Sequence, residues 1–221
     1  MITKTLKTTT GKISVSMPER LDELKLGQLI AMQSADNLSD LQAVSILSGT
    51  PLDDLQNISS ADELQIFNEQ VLSIARQIKY LYNSDAIPKA TTFILEGKPV
   101  TIPVIKNLSV EPAGAFMAAR EVIAEEVARH VKLYGEDDWQ ANYNPSLQAC
   151  AQVLAQYFYC RATGNRYNEY AAAAFEEQVK QMPVTDALPI AKHFFLSYPN
   201  LSKQKISFWQ RALHRWKSGL A

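Results

Sequence analysis

Apolar residues along this chain recur mainly in steps of three and four, and alternate in only two short stretches. The clearest helical line is Leu64, Phe67, Val71, Ile74, Ile78 and Leu81, an a/d seam through nearly three heptads. Ser60-Ala61-Asp62-Glu63 in front of it reads as a capping box, with Ser60 accepting from the Glu63 N–H and Glu63 reaching back. Such a seam packs either inside its own domain or against a helix of another chain, and the spacing leaves both open.

Alternation marks two hairpins. In 1–17, Ile13, Val15 and Met17 share one face and Ser14 and Ser16 the other, beyond a turn at Thr9-Thr10-Gly11-Lys12. Pro18 ends the strand, and the many lysines and threonines suit a sheet edge. In 91–103, Phe93 and Leu95, then Val100 and Ile102, alternate around Glu96-Gly97-Lys98-Pro99. Isolated hairpins are marginal in water, so the pattern favours joining both in one small antiparallel sheet.

Helical spacing returns between and after the hairpins. Residues 21–34 predict a short helix on Leu26, Leu29, Ile30 and Met32, weakened by Gly27. Asn37 is placed to cap a second helix that stops at Gly49, and Pro51 to restart the chain at a first helical position. Glu111-Pro112 opens a long helix to Gly135, a left-handed stop, with Phe116, Ala119, Ile123, Val127, Val131 and Tyr134 as its stripe. Glu121, Glu125, Glu126, Arg129 and Lys132 are expected to face outward, and 136–144 reads as an acidic, polar loop.

The richest apolar and aromatic stretch, 144–200, reads as three helices and as the main core. The first, 145–163, carries Leu147, Cys150, Leu154, Tyr157, Phe158 and Arg161 and stops at Gly164. Asn168 caps the second, whose alanine run 171–174 permits close helix approach. Thr185 or Asp186 starts the third, with Pro189 tolerable in its first turn, and Phe194, Phe195 and Leu196 close it before Pro199.

A last helix, 202–219, differs in character. Ile206, Trp209, Leu213, Trp216 and Leu220 form its apolar line, while Lys203, Lys205, Arg211, Arg215 and Lys217 make it basic, with no Asp or Glu after Asp186. A basic amphipathic helix with tryptophans can dock on its own domain, enter a partner's groove, or contact a membrane surface or nucleic acid. The residues read as partner-binding are Lys203, Lys205, Trp209, Arg211, Arg215, Trp216 and Lys217.

Composition narrows the classes. At 221 residues with 47% hydrophobic and 20% charged content, the chain is globular and holds one large domain or two small ones. Only 8 glycines argue against a turn-rich all-β fold and against phosphate-cradling loops. A net charge of -1 gives no global field toward nucleic acid or anionic lipid. Residues 1–10 are polar and carry no signal-peptide run, and no apolar stretch is of membrane-spanning length, so an intracellular protein is expected.

Little in the sequence points to chemistry. Cys150 and Cys160 fall on one predicted helix roughly 15 Å apart, too far for a mutual disulfide, and among apolar neighbours they read as small hydrophobes rather than nucleophiles. Histidines stand at 130, 193 and 214, without zinc-like spacing. Glu126 and His130 lie one turn apart, which suits a salt bridge and, with a second such pair, would suit a metal. No Walker loop, dinucleotide fingerprint or nucleophile elbow occurs, and Glu136-Asp137-Asp138 lacks the alternating ligands of a calcium loop. The helix–turn–helix order around Gly49-Thr50-Pro51 imitates a DNA reader, but Asp53 and Asp54 would repel phosphates.

Two segments carry a resemblance: the N-terminal pattern PERLDELKLGQLIAM (18–32) followed by ILSGTPLDDLQNIS (46–59), and LAQYFYCRATGNRYNEYAAAAFEEQVKQMPVTDALPIAKHFFLSYP (154–199). They resemble proteins of the tail-morphogenesis regions of Bacteroidetes phages and prophages, which look like tail assembly chaperones or small virion structural proteins, a resemblance that touches about half the chain. The resemblance implies a role in assembly through contact with other morphogenesis proteins, in the bacterial cytoplasm or the virion. It brings no catalytic, metal or cofactor residues.

The expected fold is mainly α: a helical bundle with a small antiparallel sheet of two hairpins in the N-terminal half. An α+β region over 1–108 and a helical region over 109–221 form one globule or two lobes joined near 106–110. The expected function is that of a non-enzymatic protein acting through protein–protein contacts, with self-association open. The alternative is a peripheral membrane or nucleic-acid-binding module using the basic C-terminal helix. An enzyme using Glu126 and His130 with a metal is a third reading.

Overall fold

A computed structural model describes residues 1–35, 37–78, 81, 86–107, 111–136, 138–139 and 143–197. The chain runs β1 (Ile2–Thr8), β2 (Gly11–Met17), α1 (Leu26–Ser34), α2 (Asp40–Ser48), α3 (Leu52–Gln56) and α4 (Gln65–Ile78). It continues with β3 (Ala90–Leu95), β4 (Lys98–Pro103), α5 (Ala113–Tyr134), α6 (Leu147–Thr163), α7 (Glu169–Ala174), α8 (Glu176–Val179) and α9 (Val184–Ser197). The fold is mainly α, with two small antiparallel hairpins in the N-terminal half.

Helix α6 lies at the centre. Twelve of its 17 residues are buried, among them Leu147, Val153, Leu154, Tyr157 and Phe158, so it has no broad solvent face. A helix apolar all round must be covered all round, and α1, α5, α7, α8, α9 and β4 all pack on it. Ser146 caps its start by accepting from the Ala149 N–H (3.1 Å), and Gly164, at φ 71°, ends it in the left-handed conformation that glycine adopts without strain.

The two hairpins do not join. They form separate two-stranded sheets, each stabilised by helices instead. In β1–β2, Leu6, Val15 and Met17 are fully buried, and β2 packs on α2. The free edge of β1 is covered by the segment after α3: Ser59 N–H donates to Lys7 O and Thr9 N–H to Asn57 O. In β3–β4 the turn is Glu96-Gly97, both at positive φ, the geometry whose twist matches a two-residue hairpin. Phe93 drives this hairpin into the core, edge-on to Phe158 at 5.1 Å and beside Phe175 at 5.2 Å.

Several expected boundaries move. The capping box before α4 does not form: Ser60 makes no side-chain cap, and Glu63 accepts from the Lys7 N–H (3.2 Å), leaving a 3-10 turn over Ala61–Leu64. The seam that follows packs within the chain, with Phe67, Ile74 and Leu81 buried and Leu64, Val71 and Ile78 against the same core. Ser39, not Asn37, caps α2, bonding reciprocally with Gln42. Gly135 ends α5 at positive φ but with an extended ψ of 167°, outside the left-handed helical region. Tyr134, expected on the buried stripe of α5, is exposed.

The helix expected after Asn168 breaks at Phe175, whose ring turns inward against Phe93 and Tyr159 (6.1 Å). Only Ala172 of the alanine run is buried; Ala173 and Ala174 face outward. Helix α9 begins at Val184, one residue ahead of the expected start. The predicted helix at 202–219, with all seven residues read as partner-binding, lies outside the described residues. No described helix is long and apolar enough to cross a membrane.

The predicted helix at 21–34 is interrupted, and the interruption ties the two halves of the chain together. After a 3-10 turn at Leu21–Glu23, residues 24–27 run beside 180–184. The first N–H groups of α1 have no partner in their own helix. Leu26 donates instead to Met182 O (2.9 Å) and Gly27 to Lys180 O (2.8 Å), while Val184 N–H, at the start of α9, donates to Leu24 O (2.8 Å). One cluster of buried side chains then spans both halves, from Leu6 and Leu26 to Phe194.

Gly27 costs the helix intrinsic preference, but it permits the close approach. A Cβ there would stand 3.0 Å from Lys180 Cβ and 3.2 Å from Lys180 O, an acceptor already committed to the Gly27 N–H. Gly27→Ala gains about 0.5–1 kcal/mol of helix preference, but crowding a packed contact costs about 1–3 kcal/mol. We expect the variant to be less stable, with a lower urea midpoint. A raised midpoint would show that the 180–184 segment yields.

Candidate functional site

Polar chemistry gathers at two junctions of α6 with its neighbours, and an apolar cavity opens beside one of them. At the first junction, near the start of α6, Glu126 does not face outward as expected. Its carboxylate accepts from Ser146 N (3.1 Å), Ser146 Oγ (2.9 Å) and Arg129 Nη2 (2.6 Å). Burial pushes the Glu126 carboxyl up, but the Arg129 and Ser146 bonds outweigh it and hold the group below the usual carboxylate range.

His130, 3% exposed, bridges the same junction. Its Nδ1 lies 2.8 Å from Glu126 O, and its Nε2 lies 3.2 Å from Asn144 N and 3.0 Å from Asn144 O. Glu126 O can only accept, so Nδ1 donates to it, and Nε2 is held against the Asn144 backbone. Both nitrogens are thus used in binding backbone, and the Glu126 carboxylate is 4.0 Å from Nδ1. This geometry does not favour the metal-pair reading, because backbone atoms occupy both ring nitrogens. Among the described residues no group of three or more His, Cys, Asp or Glu side chains could hold a metal ion.

The second junction pins the connector between β4 and α5. Tyr157 OH donates to Ile105 O (2.8 Å) and accepts from Ile105 N (2.7 Å) and Arg161 Nη1 (2.6 Å). Arg161 Nη2 donates to Pro103 O (2.7 Å), and His193 Nε2 lies 3.1 Å from Lys106 O. Glu111 sits behind them with a side chain only 2% exposed, its Oε1 3.7 Å from Arg161 Nη1 and without a hydrogen bond among the described residues. Burial raises its pKa, with Arg161 opposing. Sequence reading placed Arg161 on the apolar line of α6 without a role; its position one turn after Tyr157 was the signal for this cluster.

The cavity, about 330 Å³, lies where the 143–145 segment, α6 and α9 meet. Leu81, Pro145, Cys150, Leu188, Phe195 and Leu196 give it apolar walls, and Tyr143 and Lys192 stand at its polar points. The Tyr143 ring packs edge-on to His130 (4.7 Å), Trp139 (5.3 Å) and Phe195 (5.9 Å). Its hydroxyl is buried without a hydrogen bond among the described residues, and burial together with the Glu126 charge raises its pKa. Burial pushes the Cys150 thiol up to about 12 and raises Cys160 as well, so both stay protonated thiols and poor nucleophiles.

On the opposite side of α6, Glu121, Glu125, Glu169 and Glu176 line a groove with Gln152 and Gln156. Asp53 and Asp54 are exposed in the first turn of α3, where the helix–turn–helix reading would need cations. Compared with known protein families, with curated proteins and with solved structures, the chain matches none.

Two outcomes follow from the junctions. Tyr157→Phe keeps the ring against Phe158 and Phe194 but leaves the Ile105 N–H without its acceptor, at a cost of about 1–3 kcal/mol in urea denaturation. The two carboxylates differ in sign with pH. The lowered pKa of Glu126 contributes stability above its unfolded pKa, lost as pH falls through the folded value. The raised pKa of Glu111 contributes stability below its unfolded pKa, lost as pH rises through the folded value. Glu126→Gln should therefore be less stable than the parent at pH 7, with the gap closing in acid. Glu111→Gln should gain on the parent between pH 4 and pH 7. Parallel pH–stability curves for either variant and the parent would refute the assignment.

Proposed function

We propose that this protein is a non-catalytic assembly factor of the phage-tail type, working by contact with other proteins. The observation that carries the contact role is a separation of charge along the chain. Five of the 22 Lys and Arg residues lie after Asn200, and none of the 23 Asp and Glu residues do. Residues 1–200 therefore hold a net six negative charges and residues 201–221 five positive ones, hidden in a total of -1. The basic segment also carries Trp209 and Trp216, and Trp and Arg are the side chains that dominate contact energies when protein surfaces meet.

The phage-tail part of the reading is supported by the resemblance of 18–32, 46–59 and 154–199 to tail-morphogenesis proteins. The described polar clusters are compatible with it, because Glu126, His130, Tyr157 and Arg161 are engaged in holding backbone. The basic segment also favours a second reading, binding to anionic lipid or nucleic acid, in which affinity would fall steeply with salt.

Tagged protein in induced prophage-bearing cells should recover a tail component, such as the tape-measure protein. Replacing Lys203, Lys205, Arg211, Arg215 and Lys217 together with alanine should abolish that recovery. Recovery of no morphogenesis protein would overturn the reading. Salt-sensitive binding to phosphatidylserine vesicles or to DNA, lost in the same variant, would favour the second.

A further inference from the structure

The apolar cavity beside α9 lies where the described chain stops. Leu196 forms part of its lining, and Ser197 is the last described residue. Residues 198–221 follow directly, with their apolar line of Ile206, Trp209, Leu213, Trp216 and Leu220. We propose that the cavity is the docking site of this segment of the same chain, with Trp209 seated among Tyr143, Cys150, Leu188 and Phe195.

Reach fits the assignment. The four residues from Tyr198 to Leu201 span at most ~14 Å when extended, and Pro199 among them favours a turn at the end of a helix. Trp209 lies roughly 10 Å into a helix begun at 202. The early turns of that helix can therefore fold back onto the rim beside Leu196, whereas Trp216 and Leu220 fall beyond it. Charge fits as well. Residues 1–200 carry six net negative charges where the segment carries five positive ones, while the charged residue of the cavity lining itself is Lys192. On a helical repeat Arg211 and Arg215 fall opposite the apolar line, so docking through Trp209 leaves them turned to solvent.

The acidic groove along Glu121, Glu125, Glu169 and Glu176 is a poorer match. It lies against Gln152, Ala155 and Gln156 of α6, across the helix from Cys150 and Tyr157, which face the cavity and α9. A helix with its side chains is about 10–12 Å across, too wide for that short connection to round. This inference rests on the cavity and the sequence pattern; it assigns Trp209 to the chain's own body and leaves Trp216, Arg211 and Arg215 to the partner of the proposed function.

The test uses the full chain with Trp139→Phe and Trp216→Phe, so that Trp209 alone emits. Its acrylamide quenching is compared with that of a free 198–221 peptide carrying the same Trp216→Phe change. Trp209 should be quenched several-fold less in the chain, with blue-shifted emission. Leu196→Lys, at a rim residue 52% exposed, should restore peptide-like quenching. Ile94→Lys, on the β3–β4 hairpin and 59% exposed, should leave it unchanged. Peptide-like quenching in the parent chain would overturn the proposal. Protection that survives Leu196→Lys would overturn the cavity as the site. Protection that appears only with dimerisation at high concentration would overturn docking within one chain, in favour of a second copy.

Discussion

One helix without a solvent face sets the terms for this fold. Helix α6 buries Leu147, Val153, Leu154, Tyr157 and Phe158 on one side and Ala155, Gln156 and Tyr159 on the other. An element like this is stable only when each side has a cover, because each buried large apolar side chain contributes about 1.5–3 kcal/mol that exposure would forfeit. The covers are drawn from both halves: α1 and the β3–β4 hairpin from one, α5, α7, α8 and α9 from the other. Small residues on α6, Ala149, Ala151 and Ala155, leave room for them to come close.

Backbone groups complete what the apolar contacts begin. The N–H groups at the start of α1 find carbonyls in the 180–184 segment, and the start of α9 finds one at Leu24. Two helix starts thus place their first N–H groups on distant carbonyls, groups that would otherwise need a capping side chain or water. Tyr157 and Arg161 do the same for the connector before α5, reaching Ile105 and Pro103. Ionisable side chains at these places are engaged with backbone rather than aimed together at a shared reacting centre. The conspicuous exceptions are Glu111 Oε1 and Tyr143 OH, buried without hydrogen bonds among the described residues. The Tyr143 hydroxyl belongs to the cavity beside α9.

Much of the helix and strand pattern was legible because it is local. The seam of α4, the stripe of α5 and the hairpin positions of Val15 and Phe93 follow from period alone, and Gly49 and Gly164 mark real stops. Several failures share a cause: a distant group competed for a local partner. Glu63 left its capping box for Lys7, and Gly27 proved to be a contact rather than a weakness. Phe175 broke a helix to reach Phe93 and Tyr159, and Glu126 turned inward to Ser146. None of these partners is close enough in sequence for spacing to reveal it. The two hairpins stayed apart because helices supplied the cover that each would otherwise have sought from the other.

The amino-acid order by itself determined which stretches are helical or extended, which faces are apolar, and that positive charge is collected after Asn200. These depend on neighbours within a few residues, where chain geometry is nearly fixed. Tertiary structure alone decided which helix is central, how residues 24–27 meet 180–184, and where a cavity remains between α6 and α9. Those outcomes depend on the fit of side chains far apart along the chain, whose meeting no local rule specifies.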